Sequence, residues 1–160
     1  MACEIVKSGR VMFVLWGTPE RKDFDSIISE ARLLHCARGP FVFVARVPAG
    51  AQAPSDALKG DVSRCIGFLL EHCASYHGVI EGNGFTMSAK RAVLATLFLM
   101  TRHRGKLHVH PSVNQVADSA PSEMRDDVVA AFKQFEPSGV LGRNLDSIAP
   151  PRPAFASSRR

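Results

Sequence analysis

The stretch YHGVIEGNGFTMSAKRAVLATLFLMTRHRGKLHVH, Tyr76–His110, decides the fold. A short apolar run containing Val79 and Ile80 stops at Gly82-Asn83-Gly84. Helical spacing follows from about Thr86, with Val93, Leu94, Leu97 and Phe98 forming one stripe, until Gly105 ends it and an alternating strand starts at Lys106. Strand, helix and strand in that order form a crossover unit, the connection that parallel neighbours in a sheet require.

The same rhythm extends to both sides. Glu4–Val6, the turn Lys7-Ser8-Gly9-Arg10 and Val11–Trp16 read as a β-hairpin. A helix follows, capped either by Thr18 ahead of Pro19 or by Asp23. Phe24, Ile27, Ile28, Ala31, Leu34 and His35 make its buried face, and Gly39-Pro40 is its stop. Phe41–Val47 is an almost unbroken β-rich run, as expected for a central strand covered on both faces. Ser55 is a natural N-cap after the small-residue connection Pro48–Pro54, and Leu58, Val62, Cys65, Ile66, Leu69 and Cys73 share one face of the next helix.

Beyond His110, Ser112 and Gln115 have capping-box spacing for a short helix that Pro121-Ser122 interrupts. Met124, Val128, Phe132 and Phe135 define a last amphipathic helix. The sequence therefore predicts one α/β domain over residues 1–136, a mixed sheet that opens with a hairpin and then alternates helices and strands. Residues 137–160, rich in Pro, Ser and Arg and including APPRPAF, read as a flexible tail.

Composition limits the function classes. Apolar residues make up 46% of the chain against 22% charged, which favours a folded domain over disorder. The net charge of +5 is scattered rather than clustered, which argues against a nucleic-acid partner. Cys3, Cys36, Cys65 and Cys73 contain no CxxC pair, and Cys36 and Cys65 fall on apolar helix faces, so core packing in a reducing cytoplasm is the expectation. No run is long enough for a membrane span.

Candidate chemistry is sparse. Glu81-Gly82-Asn83-Gly84 could cradle an anion at a helix start, but Met87 occupies the third glycine position of GxGxxG and GK[ST] is lacking, so turn chemistry with Thr86 as N-cap is preferred. His108 and His110 alternate along a strand and face one side, near His72, His77 and His103 in sequence. A metal site that adds Cys73 has no ligand spacing in its favour, and no metal or cofactor is expected. Asp23-Asp25 and Asp126-Asp127 read as helix charges rather than acid and base pairs. Lys90, Arg91, Arg102, His103, Arg104 and Lys106 flank the central helix and suit either an acidic partner or a solvated face.

KSGRVMFVLWGTPERKDFDSIISEARLL (residues 7–34) and VIEGNGFTMSAKRAVLATLFLMTRHRGKLHVHPSVNQVADSA (residues 79–120) resemble the STAS superfamily, the fold of SpoIIAA-like proteins and bacterial anti-sigma factor antagonists. The resemblance is one of pattern and spans about residues 3–120. It implies a non-enzymatic module that binds and regulates another protein, whether a kinase-like anti-sigma partner or, in an immunity-type role, a toxin; a homodimer is compatible. Antagonists carry an Asp-Ser-Ser-Gly loop with a phosphorylated serine. Here the loop is Asn83-Gly84-Phe85-Thr86-Met87-Ser88, without Asp or paired serines, while counting elements places the equivalent loop at Pro54-Ser55. Candidate phosphorylation sites are thus Ser88, Thr86 and Ser55. The expected partner surface is Asn83, Phe85, Met87, Ser88, Lys90 and Arg91, because apolar Phe85 and Met87 sit in a Gly-flanked turn. The alternative is a small-molecule or anion-binding protein that uses the Gly82–Ser88 turn.

Overall fold

The computed structural model describes residues 3–49, 51, 54–82 and 103–141. Asn83, Phe85, Thr86, Met87, Ser88, Lys90, Arg91 and Arg102, the helix expected from about Thr86, and residues 142–160 lie outside the described residues. Within them the chain is α/β: β1 (Glu4–Ser8), β2 (Val11–Leu15), α1 (Arg21–Arg38), β3 (Phe41–Val47), α2 (Lys59–His72), β4 (Cys73–Ile80), β5 (Leu107–His110), α3 (Val116–Ser119) and α4 (Arg125–Phe135). The five strands pair in sequence order; β1 and β2 are antiparallel, and each later pair is parallel. This is the mixed sheet with an opening hairpin that the sequence predicts.

Strand alternation sorts the side chains into two cores. On one face Met12, Val14, Phe43 and Tyr76 pack with Phe24, Ile27 and Ala31 of α1 and Cys65 and Leu69 of α2. On the other, Phe13, Val44 and Val79 pack beneath Val116 of α3 and Val128 and Phe135 of α4. Phe13 meets Phe132 edge-on at 6.1 Å between ring centroids, which fastens α4 over the middle of the sheet. β3 lies at the centre, and its first six residues are buried.

Several boundaries differ from the sequence reading. Neither Thr18 nor Asp23 is the N-cap of α1; Glu20 is, and its backbone N–H donates to the Asp23 carboxylate at 2.7 Å. Asp23 acts from the third helical position, the reciprocal half of a capping arrangement. Gly39 ends α1 at φ 74°, which a residue with a Cβ rarely adopts, and its N–H donates to the His35 carbonyl. Cys36 is exposed; two residues beyond Leu34 it is turned about 200° around the helix, away from the core. Cys73 opens β4 rather than extending α2, with its backbone already extended at φ −80°, ψ 154°.

Lys106 explains how helix passes into strand there without Gly or Pro. Its ammonium donates to the Leu70 and Cys73 carbonyls at 3.2 and 3.0 Å, satisfying groups that the end of α2 leaves open. It is therefore engaged in capping rather than offered to a basic patch. At Ser112 the hydroxyl accepts from the Asn114 N–H.

Packing also continues beyond residue 136, where the sequence reading starts a tail. A 3-10 turn over Glu136–Ser138 and a left-handed Gly139 bring Val140 into the second core at 0% exposure. A chain ended after residue 136 should be about 3 kcal/mol less stable to urea than one ended after Leu141, since it loses a buried valine and a carbonyl partner of a buried arginine. Equal midpoints for the two chains would show that residues 137–141 contribute nothing to packing.

Candidate functional site

In parallel sheets the C-terminal ends of the strands are where loops converge and ligands dock. That edge is built here around Arg46, the penultimate residue of β3, whose side chain is 1% exposed. Its Nε and Nη2 donate to the two carboxylate oxygens of Glu81 at 2.9 and 2.8 Å, and Nη1 donates to the Val140 carbonyl at 2.6 Å. The Glu81 N–H in turn donates to the Val47 carbonyl, and the Trp16 N–H to the Arg46 carbonyl. A guanidinium suits this position because its planar fork matches a carboxylate with two parallel bonds. Gly82 follows at φ 116°. The exits of β3 and β4 are thus tied together, and with them the connections that carry Ser55 on one side and residues 83–88 on the other.

Ser55 is exposed at the start of the 3-10 turn that leads into α2, and its side chain makes no capping hydrogen bond. It is the one candidate phosphorylation site within the described residues. Of the Gly82–Ser88 turn only Gly82 is described, so the partner surface expected at Asn83, Phe85, Met87, Ser88, Lys90 and Arg91 lies outside the described residues.

A second polar system lies on the face covered by α3 and α4. Strand register aligns Phe13, Val44, His77 and His108 in one row and Leu15, Arg46, Val79 and His110 in the next. The three imidazoles lie nearly parallel, with interplanar angles of 11° to 16°. His77 Nε2 is 2.9 Å from Ser75 Oγ, His77 Nδ1 is 3.0 Å from His110 Nε2, and the Gln115 side chain hydrogen-bonds His110. His77 is 0% and Ser75 2% exposed. With neutral rings the hydrogens run in one sense along the chain, from Ser75 through His77 and His110 to Gln115 or the reverse.

Burial sets the protonation of these rings. Desolvation, followed by repulsion from His108 and His110, holds His77 down to about 3. Desolvation also lowers His108; for His110 it combines with His108 to outweigh the Gln115 bond, which favours the charged form.

The connectivity of hydroxyl, imidazole and second imidazole is that of an activated nucleophile. Ser75 and His77 are, however, sealed beneath the helices, where no substrate reaches the hydroxyl in this conformation. The facing nitrogens of His77 and His110 form a hydrogen-bonded pair rather than converging on a third point. Cys73 belongs to the opposite core, which separates it from His108 and His110. Among the described residues no group of three or more His, Cys, Asp and Glu side chains could hold a metal ion. Burial pushes the Cys65 and Cys73 thiols up to about 12, far from the thiolate a nucleophile needs.

The remaining candidates are engaged structurally. Asp25 pairs with Arg64, and Asp127 with Arg10. At the opposite, N-terminal edge of the parallel strands a cavity of about 460 Å³ is lined by Arg10, His35, His72, Lys106 and Glu123. Both of its cations are already committed, Arg10 to Asp127 and Lys106 to the end of α2. No helix among the described residues is long and apolar enough to cross a membrane.

The Arg46–Glu81 pair was legible in part, since an arginine inside FVFVARV requires a buried partner; which carboxylate supplies it follows only from the register. Replacing Glu81 with Ala should cost about 3 to 5 kcal/mol by removing the paired carboxylate of a buried cation, and the double variant Arg46→Met, Glu81→Leu should recover most of that loss. Urea unfolding of the three proteins checks this; a single-variant cost below about 1 kcal/mol would remove the pair from its anchoring role. No protein-family model, curated protein or solved structure matches the chain.

Proposed function

We propose that this chain is a cytoplasmic, non-enzymatic module that binds another protein through the C-terminal edge of its sheet, regulating or inhibiting that partner. The observation that carries the reading is the buried Arg46–Glu81 pair, which joins the exits of β3 and β4. Binding segments gain affinity when their attachment points are fixed beforehand, because less ordering entropy is lost on association. Here one ion pair fixes both connections that hold Ser55, Thr86 and Ser88.

The STAS resemblance of residues 3–120 supports the same reading, as does an exposed Ser55 at the position that element counting assigns to the phosphorylated loop of antagonists. An added phosphate on that edge would bring nearly two negative charges to the surface the partner meets, a direct means of switching a complex. An anti-sigma-like kinase and a toxin are the two partner classes compatible with the reading.

Affinity capture of the tagged chain from its host's lysate tests it, with mass spectrometry of bound proteins and of phosphate on Ser55, Thr86 and Ser88. One partner at stoichiometric yield is expected, and Phe85→Ala should reduce its recovery at least about tenfold, as for loss of a binding hot spot, with the melting temperature unchanged. Undiminished recovery by that variant would remove this edge as the binding surface. No partner, together with thermal stabilisation by millimolar phosphate, would favour the anion-binding alternative at the Gly82–Ser88 turn.

A further inference from the structure

We propose that the Ser75–His77–His110–Gln115 chain is a pH-sensitive latch: in its neutral form it fastens the end of β5 and the segment 111–119 to the sheet, and acidification releases them ahead of the rest of the fold. The chain runs through three elements. Ser75 and His77 belong to β4, His110 ends β5, and Gln115 lies in the turn that opens the cover over the second core. Among the described residues β5 is a four-residue strand paired with β4 alone, and this chain ties its last residue, His110, to β4.

Among the described residues the surroundings offer a proton on His77 no compensating charge. On the β3 side His77 faces Val44, and the next row holds Arg46, a cation whose carboxylate partner is Glu81. On the β5 side it meets His108 and His110. The cover contributes Gln115, Val113 and Val116, and α4 contributes Val128 and Ala131, while its Asp127 is taken up by Arg10. Among the described residues no carboxylate acts on the three rings. Protonation of both rings also breaks the chain itself, because it sets His77 Nδ1–H against His110 Nε2–H across 3.0 Å.

The sign follows from linkage. The His77 ring is held below its ordinary value of 6.5 when closed and returns to it when released into water. Closure is therefore fully favoured above 6.5 and weakens as the pH falls from there towards about 3. Between pH 7.5 and 5.0 the open fraction should rise roughly 30-fold from His77 alone. Release should remain local. α1, α2 and the first three strands are held by the other core and take no part in the chain, and the Lys106 ammonium ties the start of β5 to the end of α2 through the Leu70 and Cys73 carbonyls.

Hydrogen exchange of the full chain at pH 7.5 and 5.0, corrected for intrinsic rates, tests the latch. Amides of residues 108–119 should open roughly 30-fold more at pH 5.0, with those of 24–34 and 41–47 unchanged. In His77→Asn, whose amide can still donate towards His110 but does not titrate, the response should fall below about threefold. Exchange that rises uniformly along the chain, no change at 108–119, or a wild-type response in His77→Asn would each overturn the proposal. If that variant does not fold, ring titration of the wild type by NMR decides: a His77 that remains neutral at pH 5.0 in the closed form supports the latch, and one that titrates near 6.5 without opening refutes it.

Discussion

A strand covered on both faces cannot leave a charge unpaired, and β3 carries one. Water cannot reach the Arg46 guanidinium, so the fold has to bring it a carboxylate and further acceptors or else not place it there. Glu81 supplies the carboxylate from the end of β4, and Val140 supplies a carbonyl from the far end of the cover. That single demand sets the relative height of β3 and β4, closes the chain back onto the sheet after α4, and defines where the connections leave. Hydrophobic burial supplies most of the stability, but it tolerates small slips that a bidentate ion pair does not.

The same logic of register explains why the fold was more legible than its polar interior. Period-two alternation in VMFVL and FVFVARV, the apolar spacing of FDSIISEARLL and the stop at Gly39-Pro40 are local signals, and they place β2, β3 and α1 within a residue or two. The alternation of His108 and His110 was equally readable, and the two do share a face. That His77 completes the set depends on which residue of β4 lies opposite His108, and no local pattern contains that information. Gln115 illustrates the difference: its spacing from Ser112 suggested a capping box, but its side chain is hydrogen-bonded to His110, a neighbour that only the folded chain provides.

Where sequence reasoning set boundaries amiss, punctuation was missing or was supplied from a distance. α2 passes into β4 with no Gly or Pro between His72 and Cys73, because Lys106, more than thirty residues on, caps the helix end. An apolar spacing rule reads Cys73 as one more helical position. Cys36 fails for a different reason: two residues beyond buried Leu34 it is turned about 200° around α1, so it falls on the exposed face. Gly and Pro after Phe135 suggested an end to structure, and they instead make the turn that delivers Val140 to the core.

Two polar systems thus fasten the segment that follows β5, one at each end. Gln115 and His110 hold its beginning through hydrogen bonds among uncharged side chains, whereas Arg46 holds its end at Val140 through its guanidinium. The two anchor points sit in one row of the sheet, with Arg46 and His110 on either side of Val79. Loosening the first therefore leaves the second in place, so the cover can part from the β5 side while remaining joined to the edge where the loop exits are fixed. A segment held at its two ends by separate contacts has a defined hinge end and a defined free end, which gives acid a local effect on the fold.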